Sequence, residues 1–250
     1  MNSDQATPIA PVQATNISQK EIEKFAALAE DWWDPNGSSK PLHEINPIRC
    51  NYIDRFARVA EKNILDIGCG GGLLTEGLHH RGGNVTGIDM ADRSIEVAKL
   101  HAQDSKLDIR YELSTAEEYA NRYRDEFDIV TCLEMLEHVP DPESVINAAI
   151  ALVKPGGWLF ISTINRTPKA YALGVFAAEY VLRLLPRGTH DFASFLKPSE
   201  ISSVLRKNHI ELVDLSGIRY NPFAFSPPRA SIHPSDVSVN YIMAARKPAL

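Results

Sequence analysis

The sequence predicts an α/β protein built on a doubly wound, mostly parallel sheet, and three observations carry that expectation. Short apolar runs recur at Ile64–Ile67, Val85–Ile88 and Phe127–Cys132, the pattern of strands buried on both faces. Helical stretches alternate with them, as layered α/β folds require. The first run carries Asp66 and leads into a glycine cluster, Gly68, Gly70, Gly71 and Gly72, and the second run ends in Asp89.

The elements follow in order. Met1 to Thr15 is polar and proline-containing, without the apolar core of a signal peptide or an Arg-rich transit pattern. It reads as a disordered tail, with residues 1–17 outside a single domain over 18–250. Ser18-x-x-Glu21 is a capping box opening a helix through Ile22, Phe25, Leu28 and Ala29. Trp32-Trp33 follow it. Asn46 as N-cap and Pro47 at the first helical position start a second helix, with Ile48, Tyr52, Ile53 and Phe56 on its apolar face.

After the first strand, Leu73, Leu74 and Leu78 mark a helix closed by Gly82-Gly83. A third strand lies near Ile109 to Leu113, and Ser114-x-x-Glu117 caps a short helix after it. Phe127 to Cys132 is the fourth strand. Trp158 to Ile164 is the fifth, after Lys154-Pro-Gly-Gly157, and a helical insertion at about 166–196 follows. Late strands at about Ile210–Tyr220 and Val237–Ala245 close a seven-stranded sheet, the C-terminal one antiparallel.

Composition narrows the function. The chain has 250 residues, 44% of them hydrophobic, enough for one sizeable core. Lys plus Arg is 26 against 32 Asp plus Glu, a net charge of −6, which argues against nucleic acid as substrate. Cys50, Cys69 and Cys132 are scattered with no C-x-x-C, which points to a reducing, cytoplasmic setting.

The glycine loop and Asp89 point to a nucleoside cofactor. Glycines at a strand–helix turn let backbone approach a ligand, and an acid 21 residues after Gly68 sits where doubly wound folds hold ribose hydroxyls. A dinucleotide fingerprint wants a third glycine at position 73, which is Leu73. Asp66 is also a poor neighbour for a diphosphate and a good one for an ammonium group. A nicotinamide enzyme fails on both counts. Asp66-x-Gly68-x-Gly70-x-Gly72 resembles motif I of the S-adenosyl-L-methionine-dependent methyltransferases with a Rossmann-like fold.

From Ile22 to Arg246 the chain resembles one family, the ubiquinone-biosynthesis O-methyltransferases. The resemblance rests on Trp32-Trp33-Asp34-Pro35, the stretch from Lys40 to Arg49, motif I, the stretch from Val130 to Pro142, Pro186 to Asp191, Asn221-Pro222 and Val239-Asn-Tyr241. It implies methylation of phenolic hydroxyls on polyprenylated ubiquinone precursors, from polyprenyl-hydroxyphenol or catechol to demethylubiquinol. It also implies a divalent metal, most often Mg²⁺, a peripheral place at the inner face of the membrane, and other ubiquinone-biosynthesis enzymes as partners. Another small hydroxylated or carboxylated metabolite is the alternative acceptor. An inactive, cofactor-binding scaffold is the rival from outside enzymology.

Residue roles follow. Asp89 is expected to accept the ribose hydroxyls and Met90 to lie against adenine, with Ala116 and Glu117 at the adenine edge. Gly68 and Gly70 admit the methionine part, Asp66 favours its ammonium group, and the Leu133 carbonyl faces the same group. By resemblance Arg49 reaches the cofactor carboxylate; read alone, a helix-borne Arg is a surface salt-bridge partner. Glu134, Glu137 and His138 stand right after strand four and offer three ligands for one divalent cation. In the other reading the glutamates only cap the turn and His138 touches substrate. His138 or His190 would take the phenolic proton, although His190 beside Asp191 also reads as a structural hydrogen-bond partner. Ala170 to Leu185 is apolar, carries Glu179 and Arg183 inside, and is flanked by Lys169 and Arg187. It is too short and polar to span a bilayer. It reads as a lid or interfacial helix over a greasy acceptor, or as a plain buried helix.

Overall fold

The strand that carries the first apolar run, β1 (Asn63–Ile67), sits at the centre of the sheet. Ile64 pairs with Val85 on one side and with Ile129 on the other, both in parallel register. Alternation then divides the core. Leu65 and Ile67 join the apolar cluster that contains Ile146, Ile201 and Leu205, whereas Ile64 joins the cluster with Ile53, Leu78 and Phe160.

The computed structural model describes residues 16–28, 31–37, 39–173, 191–221, 223 and 229–249. Within them α1 (Gln19–Leu28) and α2 (Lys40–Ala57) precede β1. Then come α3 (Leu73–His79), β2 (Asn84–Asp89), α4 (Asp92–Asp104), β3 (Arg110–Leu113), α5 (Ala116–Arg122), β4 (Phe127–Leu133), α6 (Pro142–Leu152) and β5 (Val153–Ile164). The short α7 (Pro168–Ala170), α8 (Pro198–Lys207), β6 (Glu211–Tyr220), β7 (Ala230–His233) and β8 (Asn240–Arg246) complete them. The strand order is β3-β2-β1-β4-β5-β8-β6-β7. The first five strands are mutually parallel, and β8 runs antiparallel between β5 and β6. This is the doubly wound, mostly parallel sheet expected, with β3 and β4 on opposite sides of the β2–β1 pair. A crevice opens beyond the carboxyl ends of those strands.

Four details differ from the sequence reading. The sheet has eight strands rather than seven. The extra one, β7, pairs with Gly217–Tyr220 at the edge, and Pro228 and Pro234 on either side disguise its four residues as loop. Helix α2 starts at Lys40, not Asn46, with Pro41 in its first turn and Pro47 inside. Asn46 is no cap; its Nδ2 donates to the Leu73 carbonyl at 2.8 Å. The capping box of α5 is Thr115 with Glu118, one residue later than Ser114-x-x-Glu117. The Ser114 N–H is committed to the Asp89 carbonyl, and Glu117 accepts from Asn16 and Ser144, so neither is free to cap. Finally, β5 begins at Val153, because Val153 already pairs with Phe127 across a bulge.

Asp66 breaks the apolar run of β1, and the fold absorbs it with two hydroxyls. Thr131 on β4 donates to Oδ1 and Thr75 on α3 donates to Oδ2, each at 2.7 Å. The side chain is 2% exposed, and burial pushes its carboxyl up to about 6. In the unfolded chain it titrates near 4. Between those values the folded protein holds the proton more tightly, so stability falls as pH rises through that window. We expect Asp66→Asn to melt higher than wild type in the ligand-free protein. Its advantage should grow by about 2 kcal/mol between about pH 4 and about pH 7.5. Melting curves with a pH-independent gap would contradict this account.

Candidate functional site

The turn from β1 to α3 explains the glycine cluster. Gly68 and Gly70 have φ of 71° and 54°, a left-handed backbone that costs other residues energy. A Cβ at Gly68 would lie 2.5 Å from the Met135 side chain, and one at Gly70 would lie 2.6 Å from the Trp32 ring. The loop is therefore glycine for shape and for contact. Asp89, at the end of β2, accepts from the Gly70 N–H at 2.9 Å and from the Ala91 N–H at 2.7 Å. Loss of solvent raises its carboxyl above the usual range, against the pull of those two amides.

A cavity of about 1020 Å³ opens over this turn. Its wall includes Asp66, Gly68, Gly70, Asp89, Met90 and Leu133 at one end, with Ala116 and Glu117 beside them. Every residue expected at the cofactor, including Arg49, therefore faces one space. A nucleoside with an amino-acid tail suits that cradle, because the loop backbone is bare and acids able to accept from hydroxyls and an ammonium line the same space.

Arg49 is buried on α2, and its Nη2 pairs with Glu134 Oε1 at 2.9 Å. It is therefore not the surface ion pair a bare reading of the sequence allows. Glu134 follows β4 with φ 54°, a strained position for a residue with a side chain. It also accepts from Ser162 at 2.6 Å and from the Asn240 amide at 2.9 Å. Glu137, 7% exposed in the turn Leu136–His138, accepts from Thr163 at 2.7 Å. Burial and the nearby Glu134 raise its carboxyl. His138 Nδ1 lies 2.7 Å from Glu21 Oε2. Glu21 is held down to about 2, chiefly by that hydrogen bond and with help from Lys24.

Glu134, Glu137 and His138 thus share the cavity wall, but each has its own protein partner. Among the described residues no three of His, Cys, Asp and Glu stand together as a metal-binding group, so the convergence expected of this trio is not present. His190 lies outside the described residues, as does most of the stretch from Ala170 to Leu185.

Several residues escaped the sequence reading. Trp32 caps the glycine loop, and Trp33 Nε1 donates to the Gly71 carbonyl at 3.0 Å while its ring stacks on His101 at 3.5 Å. The Trp-Trp pair was visible, yet nothing local says that it packs on a loop 38 residues on. Glu21 was read only as a cap. Four buried polar atoms on the cavity wall find no partner among the described residues: Trp32 Nε1, Arg49 Nε, Glu137 Oε1 and Asn240 Oδ1. Native proteins rarely leave such atoms unpaired unless a ligand meets them.

Comparison with known proteins gives a consistent answer. Residues 42–215 match the methyltransferase domain family. The ubiquinone biosynthesis O-methyltransferase of Saccharophagus degradans is 53% identical over 94% of this chain and 98% of its own. That of Pseudomonas aeruginosa strain UCBPP-PA14 is 52% identical over 94% of this chain and all of its own. The magnesium protoporphyrin IX methyltransferase of Synechocystis PCC 6803, solved with bound S-adenosylmethionine, superposes with a TM-score of 0.62 at 17% identity over 94% of this chain and 100% of that one, a likeness of fold. With its sheet and glycine loop in place and relatives about half identical over nearly its whole length, the chain belongs to the ubiquinone biosynthesis O-methyltransferases, a family of S-adenosylmethionine-dependent enzymes.

Proposed function

We propose that this chain methylates a phenolic oxygen of a polyprenylated ubiquinone precursor. The observation that carries the proposal is the continuity of the cavity. One wall brings together Asp89 and the glycine loop, Glu134, Glu137 and His138, and the apolar Leu173 and Phe223, which are 50% and 69% exposed. Polar, titratable and exposed apolar groups around one space suit a small aromatic head with a greasy tail.

S-adenosylmethionine, when bound, supplies a methyl group already activated on a sulfonium sulfur. The protein then has to orient the acceptor, exclude water and remove a proton. Asp89 takes the ribose hydroxyls on the lone pairs that its two amide donors leave open. Asp66 and the Leu133 carbonyl favour the ammonium group, and Arg49 favours the carboxylate. A phenol loses its proton near pH 10 in water, so the site needs a base. The sequence offers two proton acceptors, His138, with its ring on the cavity wall, and His190; a His138 that holds a cation leaves the part to His190.

A divalent cation is part of the same reading. Its support is Glu137 Oε1, a buried carboxylate oxygen without a partner among the described residues, beside Glu134 and His138 on the same wall. When bound, the cation supplies positive charge next to the phenolic oxygen and favours loss of its proton. The three residues would have to draw together to hold it.

Tyr171, two residues before Leu173, is also exposed, and Lys169 of α7 lines the cavity. Such exposed apolar groups suit peripheral contact with the lipid that holds a polyprenyl tail, at the inner face of the membrane. Among the described residues no helix is long and apolar enough to cross a membrane.

Asp89→Ala should weaken S-adenosylmethionine binding by about 2–3 kcal/mol, the scale of charge-assisted hydrogen bonds. Unchanged affinity in calorimetry of the folded variant would remove Asp89 from the ribose. Mass analysis of a prenylated catechol incubated with enzyme and cofactor should show one added methyl group. Selective turnover of a soluble phenol or carboxylate would instead favour another metabolite. For the cation, excess chelator should suppress turnover, and Glu137→Gln should abolish the response to added Mg²⁺ while keeping cofactor affinity. Full wild-type activity in chelator would defeat that part of the reading.

A further inference from the structure

The Trp-Trp pair stands in the strap between α1 and α2, and three contacts hold that strap to the body of the protein. The Trp32 carbonyl accepts from His43 Nε2 at 2.8 Å. Trp33 Nε1 donates to the Gly71 carbonyl at 3.0 Å, and the Trp33 ring stacks on His101. With its neighbour so committed, the Trp32 ring lies on the glycine loop itself. A Cβ at Gly70 would come within 2.6 Å of that ring and one at Gly71 within 2.4 Å, so the indole packs directly on bare backbone.

Each indole carries one donor, Nε1–H, and no acceptor. Trp33 has its donor engaged and Trp32 does not. Trp32 lines the cavity and is 6% exposed, and its Nε1 is buried without a partner among the described residues. A buried indole N–H ordinarily finds an acceptor. The acids nearest the loop already hold other donors: Asp66 accepts from Thr75 and Thr131, and Asp89 from the Gly70 and Ala91 amides. Arg49 Nε is in the same condition on the same wall, with Nη2 bound to Glu134. Two unpaired donors, one of them cationic, call for an anionic acceptor from outside the chain.

We propose that Trp32 binds the α-carboxylate of S-adenosylmethionine, donating from Nε1 to the group that Arg49 favours. The inference rests on that reading of Arg49 and extends it to a second residue. Adenine, ribose, sulfonium and ammonium carry no negative charge, so the carboxylate is the one anion the cofactor brings. The residues expected at adenine, Met90, Ala116 and Glu117, follow β2 and β3, whereas Trp32 packs on the turn after β1, where the methionine part is expected. An indole bond to a carboxylate is charge-assisted, and Arg49 supplies the opposite charge in a cavity otherwise lined by acids. The consequence is selectivity. A nucleoside without the carboxylate leaves both donors buried and unpaired, which a site of this kind penalises strongly. The strap 31–37, which belongs to no strand of the sheet, thereby becomes part of the cofactor site.

Calorimetry on the full-length protein, without acceptor, tests this by comparing S-adenosylmethionine with its decarboxylated form. That analogue keeps the nucleoside, the sulfonium and the amine and lacks only the carboxylate. Wild type should prefer the complete cofactor by roughly a hundredfold, the scale of two hydrogen bonds to a charged group. Trp32→Phe keeps an aromatic ring on the loop and removes the donor. It should weaken S-adenosylmethionine binding by roughly tenfold and leave the decarboxylated form within about twofold, so the preference shrinks. A preference undiminished in Trp32→Phe, including an equal loss for both ligands, overturns the role of Trp32 alone. Wild type without any preference overturns the reading of Arg49 and this inference with it. If Trp32→Phe does not fold, the assigned ¹H–¹⁵N signal of the wild-type Trp32 indole decides. A downfield shift with S-adenosylmethionine that the decarboxylated form does not produce supports the contact, and the same position with both ligands overturns it.

Discussion

The hydrogen bond from the Gly70 N–H to Asp89 organises the ligand end of this fold. It ties the bare loop after β1 to the acid at the end of β2, so the position of one fixes the other. The rest is stacked on that pair. Trp32 lies on the loop, Trp33 hydrogen-bonds Gly71 and stacks on His101, and Glu76 on α3 holds His101 at 2.8 Å. The chain before α2 is thus fastened to the loop, and α1 in front of it can cross the cavity and present Glu21. A side chain at Gly70 would drive the Trp32 ring away and disturb the packing of everything N-terminal to it.

The sheet was legible because its signals are local. Ile64–Ile67, Val85–Ile88 and Phe127–Cys132 each lie in a strand, and the turns between them carry their own glycines and caps. Asp66, the glycines, Asp89 and Leu133 were legible for the same reason: strand ends place them without help from distant chain. The misreadings arose where two local signals competed. Asn46-Pro47 looks like a helix start, but Pro41 and the packing of Cys50, Tyr52 and Ile53 extend α2 forward, and the helix tolerates Pro47 in its second turn. Ser114 and Thr115 both head capping sequences, and a backbone bond to Asp89 settles the choice. The Glu21–His138 and Arg49–Glu134 pairs could not be read at all. Each joins elements remote in sequence, and charged side chains on helices announce no partner.

The electrostatics of the cavity favour the cofactor that the glycine spacing suggests. Asp66, Asp89, Glu117, Glu134 and Glu137 all line it, and Arg49 is the buried cation among them. Burial raises Asp66, Asp89 and Glu137 above the usual carboxylate range, the mark of negative charge held without enough compensation. A diphosphate would worsen that imbalance. A ligand with a sulfonium and an ammonium relieves it, and the relief is larger in a space with little water than at a surface. The same acids reduce the stability of the ligand-free protein, the usual exchange between a prepared site and a relaxed fold.

Glu134 shows how the site holds a strained residue in place. A left-handed backbone at a residue with a side chain costs about 1–3 kcal/mol. Three donors from three elements converge on its carboxylate: Arg49 of α2, Ser162 of β5 and Asn240 of β8. Hydrogen bonds to a charged group contribute about 1.5–3 kcal/mol each, so any two offset the strain. The arrangement also fixes its neighbours. An ionised carboxylate accepts only, so the Asn240 amide must turn its Nδ2 toward Glu134 and its Oδ1 away. Arg49 spends Nη2 on Glu134 and keeps Nε within the cavity wall without a partner among the described residues. One strained residue at a strand end thereby orients a donor on the α2 side of the cavity and an acceptor on the β8 side. Removing its carboxylate would release both at once.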